Sequence, residues 1–204
     1  IEMIEKRRTT YVIQNLAGLR GGAERVLVAI ARGLSERGHD VNILTYDGHA
    51  GAPVFDPGKV PVKSVFPGAS ARPPRAVGYG RNRWLRDFVK RLPNGPLLAR
   101  AKWAATHGLF ARRLATALNL DRPEVVVAFL PPAIAAVAAA LERLPPGPRP
   151  RFIASTHGEP SADFGDASNR WDQNPIYRRN ARKALATADA VTLLQPEFVT
   201  WYPA

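Results

Sequence analysis

The sequence predicts an α/β domain in three layers, with helices covering both faces of a mostly parallel sheet. Apolar, β-branched runs of strand length alternate with stretches of helical periodicity. The segments that join them carry glycine or proline where a turn or cap belongs. At 204 residues and 46% hydrophobic content, the chain is long enough for one substantial core. Repeated strand–helix–strand units feed parallel pairing, and about six of these strands give a Rossmann-like sheet.

Thr9 to Leu16 (TTYVIQNL) is the first strand, ended by Leu19-Arg20-Gly21-Gly22. From Ala23, the residues Val26, Leu27, Ile30, Ala31 and Leu34 recur at helical spacing, with Glu24 in the first turn and Gly38 at the expected C-cap. Val41 to Tyr46 follows as the second strand, which completes a βαβ unit. Val62 to Phe66 reads as a short third strand between loops rich in Gly and Pro. Residues 67–120 are expected to form an irregular and helical basic insertion, with helices over Arg81 to Leu92 and Leu97 to Leu118. The rhythm then resumes. Glu124 to Leu130 is a strand, Pro132 to Leu144 an Ala-rich helix, and Arg151 to Thr156 a strand. Ile176 to Thr187 is a basic helix, Ala190 to Leu194 the last strand, and Pro196 to Trp201 starts a final helix. The whole chain, 1–204, is read as a single domain.

Composition narrows the function. Lys and Arg total 29 against 17 Asp and Glu, a formal net charge of +12. Such an excess favours an anionic partner. The longest apolar run, Ala133 to Leu141, is about half of a membrane span. Ile1 to Arg8 lack the apolar core of a secretion signal. There is no cysteine, and no HExxH or paired-His spacing, so no metal site is expected. GxxxxGK[ST] and GxSxG are also missing. The sparse aromatics give no RNA-binding signature, and no nucleic acid is expected.

Ligands of open parallel sheets bind beyond the carboxyl ends of the strands. Gly21 and Gly22 lie there, ahead of a helix N-terminus whose free N–H groups favour a phosphate, and Arg20 is a candidate cation beside them. The spacing is not the GxGxxG of dinucleotide folds, and a plain tight turn would also use two glycines. Of the four histidines, only His157 sits on a strand-end loop beside a glycine and a carboxylate. Its imidazole can hydrogen-bond a sugar hydroxyl or developing charge, or simply close a turn. In Arg81 to Leu92, Trp84, Leu85, Phe88, Val89 and Leu92 share one arc, while Arg83, Arg86 and Lys90 gather opposite. That pattern suits a helix lying in a membrane interface, and equally a helix packed on a sheet.

Three segments resemble family 4 of the retaining glycosyltransferases, which have the GT-B fold. GGAERVLVAIARGLSERGHDVNILTYD resembles its first loop, helix and strand; RFIASTHGEP resembles its strand followed by histidine; ADAVTLLQPEFVTWY resembles the end of its N-terminal domain. The resemblance implies the acceptor-side half of a two-domain enzyme that moves a sugar from a nucleotide-sugar donor. It implies no further cofactor, with Gly21 and Gly22 lining the donor diphosphate and His157 as the catalytic contact to the donor sugar. The family's nucleotide-binding half, with its two spaced glutamates, has no counterpart in 1–204, so the fragment alone is expected to be inactive. The cationic helix (Trp84, Arg83, Arg86, Lys90) points to a lipid-linked sugar acceptor in cell-envelope glycan and polysaccharide synthesis. It also suggests a cytoplasmic enzyme, peripheral on the inner face of an anionic membrane. Rival classes are an NAD(P)-dependent reductase or epimerase, which would need a Tyr-x-x-x-Lys pair or a regular glycine fingerprint, and a basic module that binds anions or nucleic acid.

Overall fold

The computed structural model describes residues 6–17, 21–46, 53–66, 95–165 and 174–201. Its strands are β1 (Arg8–Ile13), β2 (Asp40–Thr45), β3 (Val62–Ser64), β4 (Val125–Phe129), β5 (Arg151–Ser155) and β6 (Ala190–Thr192). All pair in parallel, in the order β3-β2-β1-β4-β5-β6. This is the Rossmann-like order, with its reversal between β1 and β4.

Side chains alternate across the strands, and each face recruits its own layer. Tyr11, Ile13, Val41, Ile43, Val127 and Phe129 form a core with Leu27, Val28 and Ala31 of α1 (Gly22–Glu36). Val12, Leu44, Val126, Ala128, Phe152 and Ala154 face the other way. There they meet α3 (His107–Asp121), α4 (Leu130–Leu141) and α6 (Pro175–Ala186). Helix α4 is central in that layer, packed against both α3 and α6. Its alanines suit that place, because small side chains let helices approach closely. Ala133, Ala135, Ala136 and Ala140 are all buried.

The structure turns α1 away from the expected arc. Val26 and Ile30 are 37% and 44% exposed, whereas Glu24, Leu27, Val28 and Ala31 are buried. The buried set follows i, i+3, i+4, i+7 spacing, one face of a helix. That rotation carries Glu24 inward with the apolar residues. At the far end, His39 N–H bonds the Leu34 carbonyl and Gly38 N–H that of Ser35. This is a Schellman closure, which uses the left-handed φ of +89° at Gly38.

The single helix expected over Leu97 to Leu118 is two, α2 (Pro96–Ala105) and α3, broken at Thr106. The Thr106 hydroxyl donates to the Lys102 carbonyl at 2.8 Å and so competes with helix continuation. Phe110, Leu114 and Leu118 of α3 enter the main core, so this part of the expected basic insertion is structural. The long loop after β5 contains an unexpected short helix, α5 (Pro160–Phe164). The final segment, Pro196–Trp201, is a 3-10 helix. Among the described residues, no helix is long and apolar enough to cross a membrane.

Candidate functional site

In open parallel sheets ligands bind beyond the carboxyl ends of the strands where the order reverses, here between β1 and β4. Two helices begin there, and they are not equivalent. Helix α1 starts with Gly21 as extended N-cap (φ −75°, ψ 163°), and Arg25 N–H makes the first helical bond to its carbonyl. The N–H groups of Gly22, Ala23 and Glu24 therefore have no carbonyl within the helix. Helix α4 instead opens with Leu130, Pro131 and Pro132. Two of its first-turn positions lack an N–H altogether. An anion at this edge gains far more from α1 than from α4.

Glu24 is the third residue of α1, the position from which a carboxylate folds back toward the N-cap. It does so here, and a Cβ at position 21 would collide with the Glu24 carboxylate. Among the described residues, a Cβ at Gly22 would meet nothing within 4 Å. The two glycines thus differ: Gly21 makes room for Glu24, and Gly22 faces open space.

His157 follows β5, the neighbour of β4. Its ring stacks on Phe129, the last residue of β4, with centroids 4.7 Å apart and planes at 20°. Nε2 lies 3.0 Å from Ser155 Oγ, and Ser155 Oγ accepts from Thr192 Oγ1 at 2.7 Å. Burial pushes the imidazole below its ordinary value, while the Glu24 and Asp163 carboxylates pull it partly back up. Those two acids come from α1 and α5. Through Glu24, the first turn of α1 bears electrostatically on the His157 ring. The described part of that site is acidic around the histidine, with Glu24 and Asp163 both buried.

Immediately after Phe129, Leu130 takes the left-handed φ of 71°. Pro131 disfavours the right-handed helical conformation at the residue before it. The left-handed turn costs about 1–2 kcal/mol and lets β4 run into α4 without a loop. Strain of this kind persists where packing over-determines it, and Leu130 packs against the α1-side core.

A first prediction follows from the electrostatics. Glu24→Gln removes a charge that raises the His157 pKa, so the imidazole should titrate still lower, read from its ring C–H shifts against pH. No movement would mean that Glu24 does not face His157. The sign also fixes the stability contribution. With a folded pKa below the unfolded value of about 6.5, the neutral buried ring contributes stability above that pH. The contribution is lost as pH falls through the depressed value.

Of the residues expected from sequence, Gly21 and Gly22 open α1 after β1, and His157 follows β5. Arg20, Arg83, Trp84, Arg86 and Lys90 lie outside the described residues. Glu24, Phe129, Ser155, Asp163 and Thr192 join the site without having been singled out for it. For Glu24 the available signal was its third position after an N-capping glycine. Ser155 and Thr192 carry no local signal, because their pairing comes from the β5–β6 register.

Comparisons with known proteins bear on the family and the fold. Residues 21–203 match the glycosyl transferase 4-like domain. No curated protein matches the chain. Among solved structures, it is similar to sucrose-phosphate synthase from Thermosynechococcus elongatus, at a TM-score of 0.62 and 12% identity. The alignment covers 96% of this chain and 44% of that one, so this chain spans less than half of that enzyme's length. At such identity the likeness is one of fold. The domain match runs from the glycine turn through His157 to the closing 3-10 helix, and the chain belongs to the glycosyl transferase 4-like domain family.

Proposed function

We propose that this domain is the acceptor-side half of a retaining glycosyltransferase that takes its sugar from a nucleotide-sugar donor. The observation that supports the reading is that Glu24 of the α1 first turn bears electrostatically on His157, in a sheet whose strand order reverses between β1 and β4. The leaving diphosphate gathers negative charge in the transition state, and preformed N–H groups aimed at it lower the barrier. Gly22 is open to close approach by a phosphate, since among the described residues none fills the space beside it. Glu24 and Asp163 repel an anion, so the phosphate belongs on the Gly22 side, with Arg20 as its cation. The sugar hydroxyls belong against His157 and the two carboxylates, which accept hydrogen bonds from them. The nucleotide is held by a second domain, and residues 1–204 alone bind weakly without turnover.

Glycine-to-alanine exchange separates the roles of the turn. Gly22→Ala places a methyl group in open space at the first helical position, so the domain should be stabilised by about 0.4–1 kcal/mol. The same methyl group should weaken the binding of a sugar nucleotide. UDP-glucose and GDP-mannose are suitable probes, titrated into labelled protein while the Gly22 and His157 signals are followed. If neither probe moves those signals and NADPH does, the reductase reading replaces this one.

The acceptor is a lipid-linked sugar of cell-envelope polysaccharide synthesis, reached from the cytoplasmic face of the membrane. Support comes from the sequence of Arg81 to Leu92, where an apolar arc with Trp84 opposes Arg83, Arg86 and Lys90. Co-sedimentation with vesicles containing anionic lipid should exceed that with neutral vesicles, and fall when all three basic residues become glutamine. Equal absence from both pellets sinks the membrane assignment.

A further inference from the structure

His157 is held on two sides. Phe129 fixes the plane of the ring, and Ser155 engages one of its two nitrogens. The hydroxyls behind it are themselves constrained. Ser155 pairs with Thr192 across the β5–β6 register and is buried, with 5% exposure. The Thr192 carbonyl accepts from both the backbone N–H of Thr156 (3.0 Å) and its hydroxyl (3.1 Å). With both bonds made, the backbone around Thr192 is pinned to β5, and its side-chain hydroxyl is delivered to Ser155 at 2.7 Å.

A hydroxyl has one proton to give. With Thr192 donating to Ser155, the one proton of Ser155 can go to His157 Nε2, 3.0 Å away. An imidazole that accepts at Nε2 carries its own proton on Nδ1 when neutral. We infer that Ser155 and Thr192 are positioning residues that set the tautomer of His157, which makes Nδ1–H the hydrogen-bond donor available to the ligand. The opposite tautomer, with the proton on Nε2, is the commoner form of a free neutral imidazole, so the choice is imposed by the fold. Burial of the ring favours its neutral form, the only form in which a tautomer exists.

The consequence deepens the sugar-transfer reading and depends on it for its meaning. A histidine with Nε2 turned to Ser155 and Nδ1 protonated presents a donor to a sugar oxygen, and Nδ1 cannot act as a base toward that ligand. His157 therefore selects a ligand that presents an oxygen acceptor, and its role is to hold and polarise.

The test needs no substrate. In 15N-labelled protein of residues 1–204, long-range 1H–15N correlation identifies which ring nitrogen of His157 bears the proton. The wild type should show Nδ1–H as the major form. Ser155→Ala should invert the ratio in favour of Nε2–H. Thr192→Val, at an exposed position that does not threaten the fold, should lower the Nδ1–H share, because Ser155 then loses the donor that orients it. Thr192→Ser, which keeps the hydroxyl, should restore the wild-type ratio. Major Nε2–H in the wild type, or an unchanged ratio in Thr192→Val, overturns the proposal. Failure of the sugar-nucleotide titration with the Nδ1–H tautomer intact would sink the transfer reading alone. Successful titration with the opposite tautomer would sink this inference alone.

Discussion

Replacing His157 with alanine is expected to lower the kcat of sugar transfer by about 10²–10³-fold, the usual cost of losing one preorganised donor at a reacting centre. The measurement belongs in the polypeptide that pairs this domain with a nucleotide-binding one. The loss should fall mainly on kcat, because the contact is proposed to strengthen as charge moves toward the leaving diphosphate. Folding should survive. His157 is half-buried and stacks on the edge of the core, so its removal leaves Phe129 and the strands behind it in place. A variant that retains kcat within a few-fold of wild type would remove His157 from the chemistry and leave it as a turn residue.

Phe129 carries the second large expectation. It is 1% exposed, closes β4, contacts Tyr11 with centroids 6.0 Å apart and supports the His157 ring. Phe129→Ala should cost about 3–5 kcal/mol, the range for deleting a buried aromatic side chain. In a domain of this size that corresponds to a fall in Tm of about 6–20 °C. Phe129→Leu keeps apolar volume and should cost less than about 1.5 kcal/mol. It nevertheless removes the flat surface on which the imidazole lies. The leucine variant should therefore stay folded by thermal melting while the His157 ring signals shift and broaden. Unchanged His157 signals in Phe129→Leu would assign the orientation of the ring to Ser155 alone.

The strands and their order of appearance were legible in the sequence because β1, β2 and β4 are apolar runs rich in β-branched residues, and the shorter strands fall between Gly, Pro or polar turns. The βαβ start was equally legible, down to the glycine that ends α1. His157 stood out by elimination, as the one histidine on a strand-end loop. Where local reasoning missed, a competing tertiary contact won. Val26 and Ile30 have the right period for burial, yet a rotation of α1 buries Leu27, Val28 and Ala31 with Glu24 instead. Leu130 reads as the end of a strand, but it takes a left-handed φ where β4 passes directly into α4.

By itself the sequence determined the parallel α/β class, the placing of a glycine turn and a histidine at strand ends, and the lack of thiol chemistry. These depend on residue type and spacing within one element, which a linear pattern records. The tertiary structure alone decided that Glu24 and Asp163 act on His157, that Phe129 supports its ring, and that Ser155 and Thr192 share a hydrogen bond. Glu24 and His157 come within electrostatic reach because β1 and β5 both flank β4. Strand order is fixed by the packing of all six strands and their helices, and no local stretch of residues encodes it.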